Sequence, residues 1–155
     1  MGLQADLEAA LHQAMRASHP DRVSVIRMLR AAIKNREIEK GKSHPLSESE
    51  LLEVVMTACK QHRDAIELYA KGGRQDLVDK ETRELDILGE FLPAQVTAEE
   101  LEAKITDALT ATGAAGLKEM GKVMKLLMPH LVGRVDGAQL SERVKTRLSQ
   151  LTTAK

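Results

Sequence analysis

SESELLEVVMTACKQHRDAIELYAKGG, residues Ser47 to Gly73, reads as one long amphipathic helix between two punctuation marks. Ser47 and Glu50 form a capping box: the serine hydroxyl accepts from the third amide while the glutamate reaches back to the first. Leu51, Val54, Val55, Ala58, His62, Ala65, Ile66 and Tyr69 then recur at the 3.6-residue period, which predicts a helix to about Ala70 with these residues inward. Gly72-Gly73 stops it.

The same period extends outward in both directions. Leu3, Leu7, Ala10, Leu11 and Ala14 predict a helix over Leu3 to Ala17, broken at His19-Pro20-Asp21. Val23, Ile26, Leu29 and Ile33 predict a second from Pro20 or Asp21 to Lys40, with Arg27, Arg30 and Lys34 opposite and Gly41 as stop. A fourth runs from about Gln75 to Phe91, with Leu77, Leu85, Leu88 and Leu92 inward, and ends at Pro93. Thr97-Ala98-Glu99-Glu100 reads as a second capping box, opening a fifth helix with Leu101, Ile105, Ala108 and Leu109 on one side. Gly113 to Gly116 is a flexible break. A sixth helix covers Leu117 to about Met128, burying Met120, Val123, Met124 and Leu127. Pro129 to Gly137 reads as a turn region. A seventh carries Leu140, Val144, Leu148 and Leu151, and Thr152 to Lys155 is expected to fray. No stretch alternates apolar and polar residues as a strand would. The expected fold is all-α, with a domain boundary at Leu92-Pro93-Ala94-Gln95: four helices in 1–93 and three in 94–155.

Composition agrees. Of 155 residues 43% are hydrophobic, but Tyr69 and Phe91 are the whole aromatic complement, so leucine, isoleucine, valine, methionine and alanine must fill the core. One cysteine, Cys59, excludes an internal disulfide, and no Cys/His cluster has zinc spacing. With no signal-like leader and no membrane-length apolar run, the expected compartment is the cytoplasm.

Lys and Arg number 23 and Asp and Glu 23, which excludes a globally basic nucleic-acid binder but not a basic face. Residues 117–155 hold 8 basic against 3 acidic residues, net +5, and Arg22 to Lys42 holds 7 against 2, also net +5. Lys118, Lys122 and Lys125 share one face of the sixth helix, Arg134 sits in the next turn, and Arg143, Lys145 and Arg147 lie on the seventh. Such a stripe is commonly a solvated face; its functional reading is contact with nucleic-acid phosphates. Without aromatics to stack on bases, the RNA would be read by its folded shape.

No catalytic constellation, cofactor motif or metal-ligand spacing is present. Walker-type and GxGxxG loops are missing, and Gly113-Ala114-Ala115-Gly116 reads as a linker because no strand precedes it. Cys59 and His62 stand one turn apart, but a cysteine on an apolar stripe reads as structural. His12, His19, His44 and His130 have no helical partner at ligand spacing. Glu81, Glu84 and Asp86, beside Lys80 and Arg83, read as a surface ion-pair face. Gly73-Arg74-Gln75-Asp76-Leu77 reads as a structural helix–helix corner, with Arg74 and Asp76 pairing near the helix ends.

Taken together, Arg27-Met28-Leu29-Arg30-Ala31-Ala32-Ile33-Lys34, Lys60-Gln61-His62-Arg63-Asp64, Gly73-Arg74-Gln75-Asp76-Leu77 with Glu81 and Glu84, Phe91-Leu92-Pro93, Gly121-Lys122-Val123-Met124 and Gly133-Arg134-Val135-Asp136-Gly137 resemble the YqeY-like (GatB/YqeY domain) family over nearly the whole chain. Two positions depart from its pattern: Ala65, where serine is frequent, and His62, where another basic residue is common. The resemblance implies a four-helix domain followed by a three-helix domain similar to the tail of the GatB subunit of tRNA-dependent amidotransferase, which helps hold tRNA while the catalytic parts lie elsewhere. It therefore implies a non-catalytic, tRNA-binding or tRNA-associated module, and the basic surface of the sixth and seventh helices supplies the expected phosphate contacts, Lys118, Lys122, Lys125, Arg134, Lys145 and Arg147. A second expectation is a protein–protein adaptor for a synthetase or amidotransferase complex, using an apolar groove between the domains. A third, from the family label alone, is glutamine-dependent amide transfer.

Overall fold

The computed structural model describes residues 2–41 and 43–153. Among them are seven α-helices, one 3-10 turn and no strand: α1 (Leu3–Arg16), α2 (Pro20–Lys40), α3 (Glu48–Lys71), α4 (Gln75–Gly89), α5 (Ala98–Thr112), the turn Leu117–Glu119, α6 (Met120–Leu131) and α7 (Gly137–Thr153). The chain divides into two compact units, Met1–Pro93 and Ala94–Lys155, holding α1 to α4 and α5 to α7.

In the first unit the helical stripes become one core. Leu3, Leu7, Leu11 and Ala14 of α1 meet Val25, Ile26, Leu29 and Ile33 of α2, with Leu51, Val55 and Cys59 of α3 and Ile87 and Leu88 of α4. Each leucine, isoleucine or valine side chain so withdrawn from water contributes about 1.5–3 kcal/mol. The core stops partway along α3 and α4: none of the residues between Cys59 and Ile87 is fully buried, and Leu68 is 68% exposed. The rest of the hairpin is an arm of two helices packed against each other. Gly73 at its tip has φ +71°, the left-handed region that a side chain would strain.

Helix ends are closed by near and distant groups. Ser47 Oγ accepts from the Glu50 amide (3.2 Å) and Glu50 accepts from the Ser47 amide (2.7 Å), completing the capping box. Lys40 Nζ donates to the same glutamate at 2.6 Å. Lys40 and the Ser47 amide together hold the Glu50 carboxyl down at about 2. Glu48 reaches across to the first turn of α1, accepting from the Leu3 amide at 3.3 and 3.2 Å. An anionic oxygen there satisfies an amide that has no partner within its own helix. At the other end of α1, Ser18 is left-handed (φ 56°), and this allows the His19 amide to close on Ala14 O at 3.0 Å.

The second unit packs Leu101, Ile105, Ala108 and Leu109 of α5 against Val123, Leu127 and Leu131 of α6, Val135, and Leu140, Val144 and Leu148 of α7. Three expectations change here. The sixth helix does not stop at Met128 but continues through Pro129 to Leu131. Proline removes one amide donor, yet Leu127 and Leu131 are anchored in the core on either side of it, and the Val132 amide still reaches Met128 O at 3.1 Å. Thr97 caps α5 by accepting from the Glu100 amide at 3.1 Å, but the Glu100 carboxylate faces Arg134 at 3.4 Å, so the reciprocal half of a capping box is not formed. Thr152 and Thr153 remain helical; Ala154, Lys155 and, in the earlier basic run, Lys42 lie outside the described residues.

Leu29→Ala is expected to cost about 2–5 kcal/mol in urea unfolding, because it opens a cavity in the four-helix core. Leu68→Ala, on the arm, should stay within about 0.5 kcal/mol of the parent. Ser47→Ala should cost about 1 kcal/mol by uncapping α3.

Candidate functional site

The six basic residues singled out in the second unit separate into two groups. Lys118 lies in the 3-10 turn, Lys122 and Lys125 on α6 and Lys145 on α7, and all four are exposed. None of the four forms an ion pair among the described residues. Lys122 and Lys125, three residues apart, share a side of α6 facing away from Val123 and Leu127. Leu126, on the same helix, is 41% exposed beside them.

The two arginines are engaged within the fold. Arg134 Nε donates to the Ala94 carbonyl at 2.9 Å while its other end faces Glu100, tying the α6–α7 turn to the start of the unit. Arg147 donates to Glu102 at 2.7 Å and to Thr106 Oγ1 at 2.9 Å. Arg143 donates to the other oxygen of Glu102 at 2.9 Å. One carboxylate thus joins two turns of α7 to α5. The Arg147 hydrogen bond, reinforced by Arg143, holds the Glu102 carboxyl below its ordinary value. Helical phase puts Lys145 about 200° round α7 from Arg143, on the opposite flank. Arg143 and Arg147 therefore read as structural, and the exposed lysines are the cations left for an external anion.

The α3–α4 arm also rearranges the sequence reading. Arg74 Nε and Nη2 donate to the two oxygens of Asp76 at 3.1 and 3.0 Å, a fork closing the exposed Gly73 corner. Cys59 is buried, and burial pushes its thiol up, as suits a packing residue. His62 turns away from chemistry with Cys59: its Nδ1 meets Glu81 Oε2 and lies 3.7 Å from Glu84 Oε2. Glu81 and Glu84, expected on a surface ion-pair face, point into the hairpin and are half-buried. Their i, i+3 spacing was visible in the chain, but that they face His62 depends on the pairing of two helices through the Gly72-Gly73 corner.

The profile of the YqeY-like protein family matches residues 4–148, and the chain belongs to that family. Similar proteins include three named "Altered inheritance of mitochondria protein 41, mitochondrial". That of Kluyveromyces lactis is 33% identical over 143 residues, covering 91% of this chain and 73% of that protein. That of Lachancea thermotolerans is 37% identical over 108 residues, covering 68% and 57%. That of Saccharomyces cerevisiae strain YJM789 is 32% identical over 146 residues, covering 90% and 74%. The expectation of a cytoplasmic protein is overturned by these names, which are those of mitochondrial proteins. Composition and cysteine count describe a folded body and carry no address.

Because the Glu102 carboxyl is held low in the folded state, its bonds stabilise above its ordinary value of 4.5 and are lost as pH falls through the folded value. Glu102→Gln should therefore show a smaller loss of Tm between about pH 5 and about pH 3 than the parent, measured by circular dichroism.

Proposed function

We propose, from membership of the YqeY-like family, that this chain is a non-catalytic module that binds structured RNA of the tRNA class through the second unit. The observation that carries the reading is the cluster of exposed lysines at Lys118, Lys122 and Lys125, without acidic partners among the described residues, on a unit whose arginines are already engaged. Lys145 adds a fourth cation on α7. Flexible ammonium groups suit phosphate contacts, which give affinity with little base readout. The similarity of this unit to the GatB tail supports tRNA as the RNA class. Arg134 and Arg147 act within this reading as the residues that hold α5 and α7 in place.

A second reading, a protein–protein adaptor, is favoured by a different observation. Met15, 51% exposed, and Met28, 56% exposed, border an open groove of about 790 Å³ between α1 and α2, lined also by Ala14, Pro20 and Val23. Methionine suits surfaces that repack around a partner helix. A synthetase or amidotransferase complex is the partner class this reading points to, and pull-down with and without nuclease separates it from an RNA-bridged association.

Titration of the purified chain with total tRNA across a salt series is expected to give saturable binding, with log K falling linearly in log salt and duplex DNA binding more weakly. Lys122→Ala with Lys125→Ala should weaken binding and reduce the slope by about 1–2. Arg147→Ala should lower Tm with the slope unchanged. No tRNA binding at low salt would end this reading in favour of the adaptor; an unchanged slope in the lysine double variant would remove that face.

A further inference from the structure

We propose that His62, Glu81 and Glu84 form a site for a borderline divalent metal ion of the zinc type on the α3–α4 arm, a site independent of the RNA-binding reading. One imidazole nitrogen and one oxygen from each carboxylate lie within 4.8 Å of one another. Two helices supply them: α4 presents Glu81 and Glu84 from one side, and α3 presents His62 opposite. All three side chains are partly sequestered, at 11%, 18% and 14% exposure, deeper than an ordinary surface ion pair.

The charge in this pocket is unbalanced. Among the described residues neither Glu81 nor Glu84 forms an ion pair with any lysine or arginine; His62 is the partner of both. Lys80 and Arg83 on the same helix point to solvent instead. With a neutral imidazole the cluster carries two negative charges, which a divalent cation neutralises. A mixed nitrogen and carboxylate donor set suits zinc, or manganese and cobalt, better than calcium or magnesium, which take oxygen donors.

Spacing and access agree. Ligand atoms around tetrahedral zinc lie about 3.3 Å apart for bonds near 2.0–2.1 Å. The 3.7 Å separation of His62 from Glu84 is close to that edge. The His62–Glu81 contact is a hydrogen bond whose proton the ion replaces, so that pair opens by a rotamer adjustment. Three protein ligands leave a fourth position for water, and the arm holds no fully buried residue that would block entry. Ligation clamps α3 to α4 where the core has run out, so the ion also stabilises the arm.

The test is calorimetry of the EDTA-stripped 155-residue chain with Zn2+, Mn2+ and Co2+, with Tm measured alongside. One equivalent of Zn2+ should bind and raise Tm. His62→Arg places a fixed cation between the carboxylates, so it should stay folded by circular dichroism while affinity falls by more than about tenfold and the Tm rise is lost. Glu81→Gln with Glu84→Gln should do the same, and His130→Ala, at an exposed position of α6, should bind like the parent. No Zn2+ uptake by the parent, or uptake unchanged in a folded His62→Arg variant, overturns the proposal.

Discussion

The antiparallel seam of α3 and α4 is sealed at one end and open at the other, and the first unit takes its form from that difference. Leu51, Val55 and Cys59 on α3 and Ile87 and Leu88 on α4 are buried because α1 and α2 cover them. Beyond Cys59 the same two helices continue with only each other for cover. A two-helix interface cannot bury whole side chains, so the arm carries half-buried residues, and polar groups persist there that a full core would exclude. His62, Glu81 and Glu84 occupy that zone.

Electrostatics in the second unit follow a different constraint. Glu102 on α5 draws Arg143 and Arg147 inward, while Glu100 and the Ala94 carbonyl draw Arg134. A guanidinium presents a planar fork of donors that can satisfy several fixed acceptors at once, and these three arginines are used in that way. The lysines of the 3-10 turn, α6 and α7 remain at the surface. The basic charge of the second unit thus resolves into structural arginines and solvent-facing lysines. An RNA-binding role would use the second group and depend on the first.

Helix periods were readable because packing required them: all four inward residues named for α5 are buried, as are Leu3, Leu7, Leu11 and Ala14 of α1 and Ile26, Leu29 and Ile33 of α2, while Ala10 and Val23 are only half-buried and Val25 is buried instead, and Ser47 caps α3 through both halves of its box. Legibility failed where a distant group entered. Glu48 gave no local sign that it would hold the Leu3 amide, 45 positions away. Glu100 had the spacing of a capping box, but an arginine from another turn offered its carboxylate a stronger partner than a backbone amide. Pro129 was a sound stop signal in isolation, outweighed by core anchors on both sides of it. Of the candidate site, the lysines could be found from charge and phase, but the engagement of Arg134 and Arg147 could not, because their acceptors lie about forty positions earlier in the chain.

By itself, then, the sequence determined the all-helical class, the places where most helices start, the aliphatic stripes that become core and the membership of a family. Those properties are set by residues within two or three turns of one another, where spacing and propensity act directly. Tertiary structure alone decided which charges are spent inside the fold, that His62 faces Glu81 and Glu84 rather than Cys59, and that the arm outruns its core. The physical reason is that electrostatic partnership is fixed by proximity in space, and proximity between helices is known only once their stripes have been packed.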